Sequence, residues 1–349
     1  MSAGLSIIIP SHNRPDLLRC CLASVERHAP AGTEVLVVDD GSVNAIVQRT
    51  AEAFPGVRVL RLPKQRGFCM AANAGIQAAS QPLIELLNDD AEVTAGWAEA
   101  ALGWFADESV AAVAPLVLRN GRGGDVSPLS QRQQAADVSR SPLLIDSAGD
   151  RYHLGGVAGK RGHGRPLTLA YLQPCRVFGA SASSAFYRRE ALLRVGAFPE
   201  EFGAYFEDVD LAFRLNRAGY RTMFEPASRV FHRIGASHRP RRQLLEQQSR
   251  NEELVFWRNL PARALLRALP LHLAVLLGKA WLRWRDGGLL PFVGGRLRAL
   301  GELPRLVRHR RWLHQLGDTA DVGPWSVEGV DFALWRAATV RERPGATAP

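Results

Sequence analysis

Apolar runs rich in β-branched residues recur at 5–9, 34–38, 57–62 and 82–87, and helical spacing fills the intervals at about 15–28, 43–54 and 68–79. That alternation through residue 118 predicts βαβ crossovers and a mostly parallel, Rossmann-like sheet flanked by helices, an α/β fold. Ligands of such sheets bind beyond the carboxyl ends of the strands, so the polar residues after each run are the ones to inspect. Residues 119–174 break the pattern. They are rich in Gly, Arg, Ser and Gln, with Gly155, Gly156, Gly159, Gly162 and Gly164 close together, and predict a long excursion with little regular structure. Its 149–164 portion suggests a lid on the acceptor side. Strand character returns at 177–187, a helix is predicted at 208–218, and one or two strands at 221–231.

After His238 the pattern is helical and Arg-rich to about residue 316. The organisation expected is a catalytic region over 1–238, with halves 1–118 and 119–238, a basic helical region over 239–316, and a tail over 317–349, disordered from Arg341. The most apolar C-terminal stretch, Ala268 to Leu277, contains Pro270 and His272 and is flanked by Arg267 and Lys279. It falls short of the ~20 apolar residues of a spanning helix, which predicts helices lying on a surface and no transmembrane helix. The N-terminus reads directly into a strand, without a signal-peptide pattern.

Charge changes this picture in one respect. The chain of 349 residues carries a net charge of +10. Residues 1–238 hold about 25 basic against about 24 acidic side chains, and the rest about 19 against about 10. A neutral front with a basic, apolar back suggests an anionic membrane surface as partner rather than nucleic acid. An ordinary helical appendage or a dimer interface is the alternative. Four cysteines without CxxC or zinc spacing read as reduced thiols of a cytoplasmic protein.

The candidate chemistry sits at strand ends. The first strand runs into Pro10-Ser11-His12-Asn13-Arg14, the second into Asp39-Asp40-Gly41-Ser42, the fourth into Asn88-Asp89-Asp90. Carboxylates on neighbouring strand ends repel unless a cation compensates, and oxygen ligands suit Mg2+ or Mn2+; a turn with a helix N-cap is the plainer reading of Asp-Asp-Gly-Ser. No G-x-G-x-x-G follows the first strand and no Walker sequence occurs, which excludes a dinucleotide-dependent dehydrogenase and leaves diphosphate to metal and side chains. Glu207, Asp208 and Asp210 open the helix at 208–218 beside Tyr205 and Phe206. Acids there favour the helix dipole, and a carboxylate beside aromatic rings also suits a general base. His232 closes a strand, either as a core residue or as a metal ligand.

Taken together, Ile8-Ile9-Pro10-Ser11-His12-Asn13, Val37-Val38-Asp39-Asp40-Gly41-Ser42, Arg66-Gly67-Phe68, Ala72-Asn73-Ala74-Gly75, Leu87-Asn88-Asp89-Asp90, Phe178-Gly179-Ala180-Ser181, Val195-Gly196-Ala197-Phe198 and Phe206-Glu207-Asp208-Val209-Asp210-Leu211 resemble glycosyltransferase family 2 of the GT-A fold over residues 4–238, in particular bacterial rhamnosyltransferase-like enzymes of surface-polysaccharide assembly. The resemblance implies that Pro10, His12 and Arg14 border the nucleotide, that Asp39 and Asp40 contact base and ribose, and that Arg66 and Asn73 line the same half-site. Asn88, Asp89 and Asp90 correspond to the metal motif, with Asn in place of its first acid. Asp90 and His232 are then the metal ligands, Asp208 the catalytic base with Glu207 beside it, and Gly179, Ala180, Ser181 and Asp210 the acceptor side. It further implies a nucleoside-diphosphate sugar donor, a glycan or lipid-linked acceptor, a divalent metal, an inverting displacement, and peripheral attachment to the inner face of the cytoplasmic membrane. A sugar-1-phosphate nucleotidyltransferase and a non-catalytic sugar-nucleotide binder are the competing readings. The first wants a glycine-rich loop that Pro10-Ser11-His12-Asn13 lacks, and the second should have lost acids that are present.

Overall fold

Ile7, Ile8 and Ile9 lie at the centre of a ten-stranded sheet, enclosed on both faces, and the order of elements around them follows from the alternation in the sequence. The computed structural model describes residues 4–119, 143–233 and 241–316. The first half contains β1 (Leu5–Ser11), α1 (Pro15–His28), β2 (Glu34–Asp39), α2 (Ile46–Ala51), β3 (Val57–Arg61), α3 (Phe68–Ala78), β4 (Leu83–Leu87), β5 (Ala91–Val93), α4 (Trp97–Leu102) and β6 (Val110–Arg119). The second contains β7 (Ile145–Ser147), β8 (Asp150–His153), β9 (Val157–Lys160), β10 (Cys175–Val177), β11 (Ser184–Arg188), α5 (Arg189–Arg194), α6 (Glu207–Arg217) and β12 (Arg221–His232). Four helices follow: α7 (Arg241–Asn259), α8 (Ala262–Arg285), α9 (Leu289–Leu300) and α10 (Leu303–Leu316).

The main sheet runs β10-β12-β6-β11-β4-β1-β2-β3. Strands β3, β2, β1 and β4 are mutually parallel, and β11 enters antiparallel between β4 and β6. Side chains alternate between two cores. Ile8, Val38 and Ile84 face α3, whereas Ile7, Ile9 and Leu87 face Leu18 and Trp97 on the other side. Helix α3 approaches so closely that a Cβ at Gly75 would lie 2.3 Å from Ile8 Cγ2. The four cysteines are free, with Cys21 and Cys69 buried and Cys20 and Cys175 half-buried.

Two expectations need correction. Within the segment read as irregular, residues 143–174 hold β7, which pairs with β6, and the β8–β9 hairpin, which pairs Asp150 with Lys160 and His153 with Val157. The glycines that suggested a loop serve its turns, such as Gly156 at φ 85°. The C-terminal apolar stretch is not about ten residues long but lies within α8, 24 residues running through Pro270; by length and composition this helix is long and apolar enough to cross a membrane. The tail expected over 317–349 lies outside the described residues.

Glu85 is a buried carboxyl in the middle of β4. It accepts hydrogen bonds from Trp97 Nε1 (3.1 Å) and Ser184 Oγ (3.0 Å), and burial still pushes its pKa up to about 8. A carboxyl raised from its unfolded value of about 4.5 binds an extra proton in the folded state, so the stability it permits is full below pH 4.5 and is lost as pH rises through 8. Glu85→Gln, which keeps an acceptor, is expected to exceed the wild type by less than about 1 kcal/mol at pH 5 and by roughly 4 kcal/mol at pH 8. Denaturant unfolding at both pH values measures this; a difference that does not change with pH would contradict it.

Candidate functional site

At the carboxyl end of β1 the backbone turns sharply at Asn13, which sits at φ 55°. Its side-chain oxygen accepts from Val43 N (2.9 Å), and its own N–H donates to Ser42 Oγ (3.0 Å), so the loops after β1 and β2 are tied together. His12 Nδ1 lies 2.8 Å from the Asp40 carbonyl. Both carboxyl oxygens of Asp40 accept backbone N–H groups, from Arg66 (2.7 Å) and Gly67 (2.9 Å), and brace the loop before α3. Asp39, fully buried, accepts from Ser42 N (2.8 Å) and faces Arg61 Nε at 3.7 Å. Arg66 itself is exposed. Asn73 spends its amide on Phe198, donating to its carbonyl (2.8 Å) and accepting from its N–H (2.9 Å). Pro10, His12, Arg14, Asp39 and Asp40 therefore gather at one sheet edge, while Asn73 braces the 198–200 turn.

Asn88, Asp89 and Asp90 follow β4, next to β1. Asp89 accepts from Ser11 Oγ (2.7 Å) and pairs with Arg14, which also reaches Asp90 Oδ2 at 3.0 Å. Strand pairing brings His232 here: β5 sets His232 opposite Ala91, and β6 sets it opposite Arg119. His232 bridges two carboxylates, with Nε2 3.1 Å from Asp90 and Nδ1 3.1 Å from Asp146. Burial alone would lower the ring's pKa, but the hydrogen bonds to Asp146 and Asp90 outweigh it and carry the pKa up to about 9. Asp146, nearly fully buried, also accepts from Lys160 Nζ (2.9 Å) and lies 3.2 Å from His163 Nδ1. Its carboxyl stays well below the usual range because Lys160 and the two histidines overcome burial.

The second carboxylate group opens α6. Tyr205 and Phe206 immediately before it both have left-handed backbone, at φ 70° and 68°, a strained arrangement for two bulky residues. It is held from α7: Asn251 Nδ2 donates to the carbonyls of Phe202 (3.0 Å), Ala204 (2.9 Å) and Tyr205 (2.9 Å), and Gln247 Nε2 to Phe202 (2.7 Å) and Ala204 (3.1 Å). Asp208, half-buried, accepts from Ala182 N (3.1 Å) and Val209 N (2.8 Å), and burial raises its pKa above the ordinary value. Glu207 and Asp150 are more deeply buried and raised well above theirs, chiefly by burial and then by the Asp208 charge.

The two groups meet through three residues. Ala182 N–H donates to Asp208, and Ser183 carbonyl accepts from Asn88 N–H at 3.0 Å. Lys160 is felt by Asp146 and by Asp208 alike. Gly179 packs so tightly on α6 that a Cβ would sit 2.6 Å from Ala212 Cβ, and Ala180 and Ser181 are buried beside it. Asp210, expected on the acceptor side, points the other way. It is fully buried, and its oxygens are taken by Arg214 (2.8 Å), Arg258 (3.1 Å) and Asn259 (2.7 Å). These partners, Arg258 first, hold its carboxyl far below the usual range against burial. An open groove of about 970 Å³ beside Gly203 and α7 is lined by none of these site acids.

No three His, Cys, Asp or Glu side chains form a ready cation cage among the described residues. Asp90 and His232 nevertheless offer one carboxylate and one imidazole side by side, a donor set that suits Mn2+ or Mg2+ completed by diphosphate oxygens and water. The family model of Glycosyl transferase family 2 matches residues 6–196. The chain belongs to that family. As a family 2 glycosyltransferase it is an enzyme. It is 28% identical over 235 residues to the pre-mycofactocin glycosyltransferase of Mycobacterium tuberculosis, a match covering 65% of this chain but only 42% of that one. It is 27% identical over 252 residues to the N-acetylglucosaminyl-diphospho-decaprenol L-rhamnosyltransferase of the same species, covering 66% of this chain and 76% of the relative. In structure this glycosyltransferase resembles the Pyrobaculum calidifontis mannosyltransferase solved with GDP-Man and Mn2+, with a TM-score of 0.52 at 19% identity over 90% of this chain and 84% of that one. The fold is GT-A.

Asp146, Asp150, Lys160, Asn251 and Gln247 were not among the residues expected at the site. Asp146-Ser-Ala-Gly-Asp150 carried a signal, two acids around a glycine turn, but nothing local ties it to His232.

Proposed function

We propose that this glycosyltransferase moves a sugar from a nucleoside-diphosphate sugar to a hydroxyl of a glycan or lipid-linked acceptor, with inversion, in polysaccharide, O-antigen or cell-wall assembly, and that it works at the inner face of the cytoplasmic membrane. The observation that carries this reading is the short link between the acids after β4 and the Asp208 carboxylate through Ala182 and Ser183. Pro10, His12, Arg14, Asp39 and Asp40 border the nucleotide, with Arg66 and Asn88 at its rim. Asp90 and His232 hold the divalent metal, which supplies charge stabilisation at the departing diphosphate when bound. Asp146, hydrogen-bonded to His232 Nδ1, fixes the ring so that Nε2 faces Asp90. Asp208 takes the proton of the attacking hydroxyl, and its raised pKa makes it a stronger base than an ordinary aspartate. Burial keeps that pKa raised, Glu207 and Asp150 stand near it with their own carboxyls raised by burial and by its charge, and the backbone N–H of Ala182 aims the carboxylate. Gly179, Ala180 and Ser181 form the wall behind it, toward the acceptor. The catalytic region spans 1–238 and the basic helices 239–316.

Thermal-shift measurements with nucleoside diphosphates test the donor half. A nucleoside diphosphate with Mn2+ is expected to raise the melting temperature of the wild type more than either alone, through linkage. Asp90→Asn is expected to remove the Mn2+-dependent part and leave the rest. No nucleotide stabilising the protein with Mn2+, or an unchanged Mn2+ effect in the variant, would overturn the reading.

A further inference from the structure

Helix α8 is built inside out. Leu266, Pro270, Leu273, Leu277, Trp281 and Trp284 recur at helical spacing and form one stripe, and this stripe faces solvent: Leu277 is 73% and Trp284 66% exposed. Two polar residues, His272 and Lys279, are buried on the opposite, protein-facing side. His272 is 1% exposed, stacks on Phe256 with ring centroids 3.7 Å apart, and sits 2.9 Å from the Gly155 carbonyl and 3.3 Å from Glu253. Lys279, also buried, is paired with Glu252. A water-facing helix has the reverse arrangement, with its apolar stripe inward. Helix α9 extends the exposed apolar surface. Leu290, Val293, Leu297 and Leu300 are exposed at helical spacing, while Phe292 and Ala299 are buried and Gly295 packs so tightly on α7 that a Cβ would lie 2.3 Å from the Glu246 carbonyl. Apolar area on this scale marks an interaction surface.

Charge identifies what covers it. Exposed Arg263 and Arg267 stand at one end of the α8 stripe and Arg285 at the other, with Arg298, Arg305 and Arg308 on the neighbouring helices. A leucine and tryptophan stripe framed by arginine matches an anionic bilayer, with acyl chains for the stripe and phosphates for the guanidinium groups. Orientation follows from the inner side. At 24 residues α8 is about 36 Å long, enough to span. Spanning would pull His272 from Glu253 and Lys279 from Glu252 and strand buried charges. Lying in the plane keeps both pairs.

We propose that α8, with the outer side of α9, is a monotopic docking element that lies in the surface of an anionic membrane, its stripe from Leu266 to Trp284 sunk among the acyl chains. This rests on the membrane location proposed above and is independent of the role given to Asp208. The test is flotation of the full-length protein with vesicles of phosphatidylglycerol and phosphatidylcholine, and of phosphatidylcholine alone, at moderate salt. The wild type is expected to float with the anionic vesicles and much less with the neutral ones. Leu273→Glu with Leu277→Glu is expected to lower binding at least tenfold with an unchanged melting temperature, since both side chains are exposed. Arg263→Ala with Arg267→Ala is expected to reduce only the preference for anionic vesicles. Wild-type protein that does not float, or glutamate variants that float as well as wild type, would overturn the proposal. So would a wild-type dimer that the glutamate variants dissociate without any vesicle binding, which would make the stripe a subunit interface. Hydrolysis of sugar nucleotide without vesicles, measured on the same preparations, separates the two readings: its absence in wild type counts against the transferase mechanism and leaves the flotation result standing.

Discussion

Asp208→Asn is expected to lower sugar transfer by about 10²–10⁴-fold, the usual contribution of a positioned general base. The variant keeps an acceptor for one of the two backbone N–H groups that Asp208 now satisfies, so its stability is expected to fall by only about 1 kcal/mol. Nucleoside-diphosphate binding is expected to be unchanged, because no hydrogen bond joins Asp208 to the loops after β1 and β2. The pH dependence has a definite sign. Burial raises the Asp208 carboxyl, and the base acts only when ionised, so the wild-type rate should fall on the acid side at a pH above the ordinary aspartate range. Initial rates against pH measure both effects. A variant that transfers sugar at the wild-type rate would remove Asp208 from the chemistry.

Asp210→Ala is expected to cost about 3–5 kcal/mol of stability, as removal of one partner from a buried ion pair does. Asp210 is fully buried between Arg214 and Arg258, whose side chains are 3% and 10% exposed. Without it two guanidinium groups face each other beside His309, and the Asn259 amide keeps only its long bond to the Val255 carbonyl, 3.4 Å. The loss should reach the active site as well. Asp210 joins α6, which carries Glu207 and Asp208, to α7, whose Asn251 holds the strained turn before them. Denaturant unfolding measures the cost. A loss below about 1 kcal/mol would mean that both arginines find solvent once Asp210 is gone.

This coupling explains why some of the site was legible in the sequence and some was not. The strand ends were legible because β1, β2 and β4 are neighbours in a parallel sheet, so acids that follow consecutive apolar runs necessarily share an edge. Asp90 and His232 looked like partners only through family resemblance, since their meeting depends on β12 returning antiparallel to β5. Asp146 was invisible for the same reason. Its place beside His232 comes from β7 pairing with β6 across a chain separation that no local pattern records. The strand β6 itself contains Pro115, which argues against a central strand. The sheet tolerates it because β12 bulges between Glu225 and Arg229, directly opposite. The place of Asp210 in the acid cluster suggests the acceptor side, but its oxygens are taken by Arg214, Arg258 and Asn259. An α-helix turns by about 100° per residue, so Asp208 and Asp210 stand on different faces. The length of α8 does not show as one contiguous apolar run, because its apolar positions are spread at helical spacing over 24 residues.

On the proposed mechanism Asp90 and His232 bind one cation against a donor diphosphate, close to the carboxylate that deprotonates the acceptor. Crystals of the wild type grown with Mn2+ and the nucleoside diphosphate that stabilises it best, examined by anomalous scattering at the manganese edge, test this directly. The result expected is one strong anomalous peak at about 2.1–2.2 Å from an Asp90 oxygen and from His232 Nε2, with diphosphate oxygens completing its shell and Asp208 open to the same cleft. A peak bound elsewhere, or diphosphate bound with no manganese at Asp90 and His232, would contradict it.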